Sequence, residues 1–174
     1  MEKLLAAAGR ADCPLSEAEF RETFQRGVER AGLEGKRVLV ILPDATRTAP
    51  IPLCFRLLRE TLRERGKVRR LDLLIALGTH PPMSDQEIDE HLGVRPGELE
   101  RLGVKVFNHR WAEPGELRRI GTIPISEMEE ISQGLLVEEV PVEINRRIFD
   151  YDHLVILGPV FPHEVVGFSG GFKY

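Results

Sequence analysis

The sequence has 174 residues, of which 42% are hydrophobic and 30% charged, so its composition excludes a disordered chain and fits one folded domain. Its 28 acidic and 24 basic side chains give a net charge of −4, which does not favour nucleic acid or an anionic membrane as a partner. Cys13 and Cys54 form no CxxC pair, which argues against a disulfide framework or a thiolate zinc site and fits a reducing compartment.

No targeting or membrane signal is evident. The apolar run near the start is interrupted at Gly9 and Arg10, too soon for a signal peptide. No segment approaches the ~20 apolar residues that a membrane-spanning helix needs. We therefore expect residues 1–174 to form one cytoplasmic domain with no membrane partner.

The first half of the chain alternates between helix and strand patterns. Ser16 and Glu19 predict a capping box at the start of a helix over 16–31. The almost wholly apolar segment 37–42 is typical of a central parallel strand that is covered on both faces.

A polar loop and a helix follow each of the first two strands. The loop at 43–50 leads into a helix over 52–65. A second strand at 71–77 is followed by a loop at 78–83 and a helix over 84–92. This order is typical of parallel βαβ units.

The second half has weaker patterns. A third strand is expected at 103–107. Segments 117–124 and 135–140 alternate polar with apolar residues and are expected to pair as an antiparallel ribbon at the sheet edge. A helical turn at 125–131 would separate them, and a short helix is expected at 141–149.

The expected fold is α/β and Rossmann-like, with a mostly parallel open sheet, helices on both faces and an antiparallel edge ribbon. The last parallel strand is expected at 153–158. Ligands of such sheets bind at the carboxyl ends of the strands. The loops at 43–50 and 78–83, and the loop after the last strand, should therefore meet on one rim.

Asp44 and Arg47 are candidate binding residues on the first of these loops. An arginine can bind a carboxylate or phosphate through two hydrogen bonds, and Asp44 would hold the guanidinium or orient a substrate hydroxyl. Alternatively, Asp44 caps a turn and Arg47 is a solvated surface charge.

Two histidines, His80 and His163, each follow a predicted strand and lie beside a proline. A histidine titrates near neutral pH and can act as a general acid or base, although His80 can also be explained as a surface residue in a turn. No third ligand accompanies them, so no metal site is predicted. His91, His109 and His153 are more simply explained as structural.

Ser169, Gly170 and Gly171 precede Lys173 near the end of the sequence. Glycines allow the backbone to approach a ligand closely, so this loop is expected to present N–H groups and an amine to an anion. The alternative is a loop that only turns the chain. No phosphate-binding P-loop or dinucleotide fingerprint is present.

Three motifs resemble those of the lactate racemase family, which uses a nickel-pincer nucleotide. They are Asp44-x-Thr46-Arg47, Gly78-Thr79-His80, and His163 followed by Gly167-Phe168-Ser169-Gly170-Gly171-x-Lys173. The resemblance spans nearly the whole sequence but only the amino-terminal part of the family's length. It therefore implies an amino-terminal domain whose carboxy-terminal domain is absent from this chain.

The resemblance implies a cofactor tethered to Lys173. This is pyridinium-3-thioamide-5-thiocarboxylic acid mononucleotide, whose sulfurs hold nickel, and the family's protein ligand to nickel lies beyond the lysine. Further cofactor contacts would come from Thr46, Ser169, Gly170 and Gly171.

The resemblance also implies racemisation or epimerisation of a lactate-like 2-hydroxy acid. His80 and His163 would be the acid/base residues, one for each face of the substrate, and Arg47 with Asp44 would bind the substrate carboxylate. Hydride would pass from the substrate carbon to the cofactor and return to the other face of a planar keto acid.

Two alternatives stay open at this stage. One is a non-catalytic module that binds a carboxylate or phosphate through Arg47 and Lys173. The other is an enzyme of the same fold that works on another substrate without nickel.

Overall fold

Four parallel strands form the central sheet of the computed structural model, which describes residues 4–65, 68–165 and 167–171. In spatial order they are β3 (Val106–Asn108), β2 (Arg70–Ala76), β1 (Arg37–Pro43) and β6 (His153–Ile156). The ribbon of β4 (Leu117–Ile123) and β5 (Val140–Asn145) and the hairpin of β7 (Phe161–His163) and β8 (Gly167–Ser169) form separate antiparallel sheets. The predicted α/β class with a mostly parallel sheet is confirmed.

Both faces of the sheet are buried because successive side chains of a strand point to opposite faces, and nearly every residue of the central strands is apolar. Val38, Val40 and Leu42 of β1 enter one core cluster, to which the helices contribute. Leu39 and Ile41 enter a second cluster on the other face. Because β1 is buried on both faces, its sequence is a continuous apolar run and could be predicted as a central strand.

The α-helices are α1 (Glu17–Arg30), α2 (Ile51–Leu58), α3 (Asp85–Leu92), α4 (Glu98–Leu102) and α5 (Ile125–Ile131). Helices α1 to α4 pack against the first core cluster, whereas Ile148 of a 3₁₀-helix over Arg146–Asp150 packs against the second. Capping boxes open both α1 and α3, as predicted for α1 from Ser16 and Glu19.

The helix predicted over 52–65 is α-helical only to Leu58. A π-helix over Arg59–Arg65 follows it directly. Leu58 and Leu62 are both buried in the first core cluster, so the wider turns keep this face against the sheet.

The strand expected at 103–107 was misplaced because α4 precedes it. Gly103 adopts the left-handed conformation that ends this helix (φ 60°), so β3 begins only at Val106. Its three residues pair in parallel with β2.

The second ribbon strand, expected at 135–140, was also misplaced, and the short helix expected at 141–149 is confined to the 3₁₀-helix over Arg146–Asp150, because the preceding residues form β5. Gln133 and Gly134 have positive φ angles (55° and 81°) and turn the chain, so pairing with β4 begins at Val140. The amide oxygen of Asn145 then accepts a hydrogen bond from Arg147 N at 3.0 Å and caps the 3₁₀-helix.

A buried carboxylate stabilises the end of the sheet where the parallel strands begin. Asp72 is fully buried, and its Oδ2 accepts hydrogen bonds from Tyr151 Oη at 2.6 Å and from Arg70 Nε. Its Oδ1 accepts one from Lys105 N at 2.8 Å, next to β3. Burial and the bond to Asp72 raise the pKa of Tyr151, so the phenol remains a donor.

Within the described residues, no helix is long and apolar enough to cross a membrane.

We predict that Asp72→Ala lowers the free energy of unfolding by about 2–4 kcal/mol, because it leaves the buried Tyr151 hydroxyl without an acceptor and removes the hydrogen bonds from Lys105 N and Arg70. Urea unfolding followed by circular dichroism measures this change. Glu113→Ala is the control, since it removes an ion pair with Arg110 that is about half exposed, and it should have a much smaller effect. Equal effects of the two substitutions would contradict a stabilising role for Asp72.

Candidate functional site

The first rim loop begins with Asp44, which directly follows the last residue of β1. Its side chain is only 8% exposed. Oδ1 accepts hydrogen bonds from Thr46 N at 3.1 Å and Thr46 Oγ1 at 2.5 Å, a local arrangement typical of aspartate in turns. The carboxylate is therefore fixed in direction by its own loop.

The second rim loop places His80 against this carboxylate. Gly78 has a positive φ (60°), and His80 N donates to Leu77 O at 3.0 Å, so the chain turns back at once after β2. Nδ1 of His80 lies 2.5 Å from Asp44 Oδ2. The two loops meet because parallel pairing sets Pro43 opposite Ala76.

The protonation of Asp44 determines which nitrogen of His80 carries the proton. Burial raises the pKa of Asp44, but hydrogen bonds from Thr46 and His80 outweigh it and hold the pKa below its ordinary value of 3.8. The carboxylate is thus ionised at neutral pH and accepts a hydrogen bond from Nδ1–H of His80. In neutral His80, Nε2 then has the lone pair and can act as a base.

Arg47 lies on the same loop but is not the partner of the Asp44 carboxylate. Its backbone N donates to Asp44 O at 3.3 Å, and its side chain is exposed. Of the two arrangements open from the sequence, Asp44 therefore belongs to a turn in which it binds His80. The guanidinium extends from the rim where an anion can reach it.

The third rim segment is a short hairpin rather than the expected loop. His163 pairs with Gly167 across β7 and β8. Val165 N donates to His163 Nδ1 at 3.1 Å, so in the neutral ring the proton lies on Nε2. In the neutral rings, Nε2 of His163 thus carries the proton, whereas Nε2 of His80 carries the lone pair.

The backbone conformation after the hairpin explains why glycines occupy positions 170 and 171. Gly170 has φ 75°, and a Cβ there would lie 2.1 Å from Pro159 O, so only glycine fits. Gly171 also has a positive φ (57°). Ser169 is the last residue of β8, and Lys173 lies outside the described residues.

Two side chains without a predicted role bind the rim loops. His91 Nε2 lies 2.9 Å from Pro43 O, and the amide of Asn108 makes two hydrogen bonds to the backbone of Met83. For Asn108, the only signal of this role in the sequence was a polar residue directly after the short apolar run of β3.

His109 has a structural role in this arrangement. Its Nδ1 accepts a hydrogen bond from Asn145 Nδ2 at 3.0 Å, which ties the sheet to the β4–β5 ribbon. Burial lowers the pKa of His109, although nearby Glu116 opposes this effect. Trp111 is half exposed.

Comparison with known proteins identifies the same family as the three motifs. The sequence model described as the lactate racemase N-terminal domain matches residues 14–174. The lactate racemase of Thermoanaerobacterium thermosaccharolyticum is 35% identical over 141 residues, which cover 80% of this chain and 29% of that protein. The chain thus spans less than a third of the length of this relative.

Solved structures agree with this match. A Thermotoga maritima protein determined by a structural genomics consortium superposes with a TM-score of 0.80 at 37% identity, over 92% of this chain and 37% of the other. The lactate racemase apoprotein of T. thermosaccharolyticum superposes with a TM-score of 0.62 at 28% identity, over 83% of this chain and 31% of the other.

We predict that Thr46→Val raises the pKa of Asp44, because it removes a hydrogen bond to the carboxylate while burial persists. The stability that depends on ionised Asp44 is complete at neutral pH and is lost as the pH falls through the folded pKa, so the variant should lose it at a higher pH. NMR titration of ¹³C-carboxyl-labelled aspartate measures the pKa. Thr48→Val is the control on the same loop, and an unchanged pKa in Thr46→Val would refute the role of Thr46.

Proposed function

This chain belongs to the lactate racemase family, and we propose that it supplies acid/base and substrate-binding residues for racemisation or epimerisation of a 2-hydroxy acid. The observation that most supports this proposal is the Asp44–His80 pair at the carboxyl edge of the sheet. A base oriented by a buried carboxylate is what removal of a hydroxyl proton requires.

In the proposed reaction His80 accepts the hydroxyl proton at Nε2. Its Nδ1–H stays bound to Asp44, which keeps the ring in the required tautomer and stabilises the imidazolium that forms. Asp44 is therefore a positioning residue in this proposal and does not contact the substrate. Thr46 keeps Asp44 ionised through its two hydrogen bonds.

His163 serves the other face of the substrate in the proposal. In the neutral ring its Nε2–H donates a hydrogen bond to a substrate oxygen. Delivery of a proton from Nε2 requires an imidazolium, whose Nδ1–H is incompatible with the bond from Val165 N. The Glu164 carboxylate, 3.9 Å from Nδ1, can accept a hydrogen bond from the Nδ1–H of that imidazolium once the Val165 bond opens.

Arg47 binds the substrate carboxylate in the proposal. The guanidinium is exposed, and its planar donors match the two oxygens of a carboxylate. Binding at this point fixes the hydroxyl-bearing carbon relative to the rim, which is the main contribution that positioning makes to such a reaction.

The described residues fit the organic part of the family's cofactor better than its metal. Within the described ranges, no group of three or more histidine, cysteine, aspartate or glutamate side chains is arranged to hold a metal ion. In the proposal Thr46, Ser169, Gly170 and Gly171 would contact the nucleotide through hydroxyl and backbone groups, and Lys173 would form the covalent attachment. When bound, the nickel-pincer nucleotide supplies the hydride-transfer chemistry.

We further propose that residues 1–174 act as the amino-terminal catalytic domain of a longer protein. The curated relative has more than three times the aligned length, since the match covers 29% of it. A carboxy-terminal domain would then complete the nickel site and close the substrate pocket.

The test is racemisation of a single enantiomer of lactate, and of other 2-hydroxy acids, by the full-length protein loaded with the cofactor and followed by chiral chromatography. His80→Asn keeps a donor for Asp44 but has no basic nitrogen, so we expect a loss of kcat of ~10²–10⁴-fold. His163→Asn should cause a loss of similar size. The matched control is His153→Gln at the opposite edge of the sheet, which should retain activity.

Peptide mass mapping gives a second readout, and a nickel-dependent adduct on Lys173 is expected. Activity that survives both histidine substitutions would refute the proposed acid/base roles. Binding of hydroxy acid without turnover, together with unmodified Lys173, would favour a carboxylate-binding module. Turnover that is unaffected by nickel depletion would favour a different enzyme of this fold.

A further inference from the structure

The loop over 78–83, which carries His80, has few backbone groups of its own that can fix its position. Residues 78–82 are exposed, and Pro81 and Pro82 have no backbone N–H to donate. The turn bond from His80 N to Leu77 O fixes only the start of the loop. Met83 is thus the first residue after His80 whose backbone offers both a donor and an acceptor.

Asn108 binds both of these groups. Its Oδ1 accepts a hydrogen bond from Met83 N at 3.0 Å, and its Nδ2 donates one to Met83 O at 2.9 Å. A primary amide is well suited to this task because it presents one acceptor and one donor side by side. The Met83 side chain also packs against the first core cluster, so the far end of the loop is fixed twice.

The position of Asn108 is itself well determined. It is the last residue of β3 and lies opposite Ile75 of β2, the strand that leads into the His80 loop. Asn108 therefore links both ends of the 78–83 loop. Its backbone pairs with β2, which leads into the loop, and its side-chain amide binds Met83 at the end of the loop.

A second contact holds the Asp44 side of the pair. Ser84, next to Met83, caps α3, and His91 near the end of α3 binds Pro43 O at 2.9 Å. Because Pro43 directly precedes Asp44, α3 connects the anchor of the His80 loop with the residue before the carboxylate.

We propose that Asn108 is a positioning residue that holds His80 against Asp44, with His91 holding the other side of the pair. Asn108 does not contact substrate; it acts through the 78–83 loop. Its importance for turnover rests on the proposed function, whereas its effect on the Asp44–His80 pair does not.

The first test measures the pair without cofactor or substrate, in full-length protein with ¹³C-carboxyl-labelled aspartate. In Asn108→Ala we expect the pKa of Asp44 to rise, because displacement of His80 removes a hydrogen bond that lowers it while burial remains. The ¹⁵N spectrum of His80 should show loss of the single Nδ1–H tautomer. His91→Phe should raise the pKa of Asp44 in the same direction.

The matched control is Val106→Ala, which weakens packing on the same strand and the same core cluster but leaves the bonds to Met83 intact. If Asn108→Ala destabilises the protein as Val106→Ala does and leaves the Asp44 pKa and the His80 tautomer unchanged, the role of Asn108 is only structural and the proposal is overturned.

The second test uses the cofactor-loaded enzyme. Asn108→Ala should lower kcat ~10–100-fold with little change in KM, since a small displacement of a catalytic group affects the chemical step more than substrate binding. Val106→Ala should keep kcat within about threefold of the parent, and equal losses of kcat in both variants would overturn the proposal. If the parent protein has no racemase activity but the NMR changes occur, the proposed function fails and the positioning role stands.

Discussion

The rim of this sheet depends on one buried carboxylate. A buried charge without partners is strongly destabilising, so the fold must provide donors to Asp44 wherever it places that side chain. Thr46 provides two from within the loop, and His80 provides the third from the neighbouring strand. The requirement that stabilises Asp44 thus also orients the imidazole that we propose as the base.

His80 and His163 differ in the hydrogen-bond partner of their Nδ1 atoms. A carboxylate makes Nδ1 of His80 a donor, whereas a backbone amide makes Nδ1 of His163 an acceptor. A reaction that works on both faces of one carbon needs groups that give and take a proton, and the racemisation that we propose would use the opposite tautomers of these two imidazoles for that purpose. The sequence identifies both residues as histidines but not their tautomers, because tautomers are determined by contacts and not by residue type.

The parts of the fold that were predictable are those encoded by long local patterns. The apolar runs of β1 and β2 and the capping box of α1 each identified an element within about one residue. The short strands were misplaced because single backbone conformations at Gly103 and Gly134 determine where they can begin. The meeting of the 43–50 and 78–83 loops followed from parallel topology, but the choice of His80 over Arg47 as the partner of Asp44 required the register of β1 and β2. For Asn108 the sequence offered only a polar residue after a short apolar run, because its partner is backbone, which has no signature in sequence.

The buried network around Asp72 and the paired residues of the rim occupy opposite ends of the same strand. Ala76 lies four positions after Asp72 along β2, which corresponds to about 13 Å of extended chain. Substitutions separated by such a distance with no shared partners usually have additive effects. Substitutions in the rim loops should therefore leave the network around Asp72 intact. A loss of folding stability at one end of β2 can be offset by a stabilising substitution at the other. Along this single strand, the residues that hold the sheet together are thus separated from the loops that we propose for chemistry.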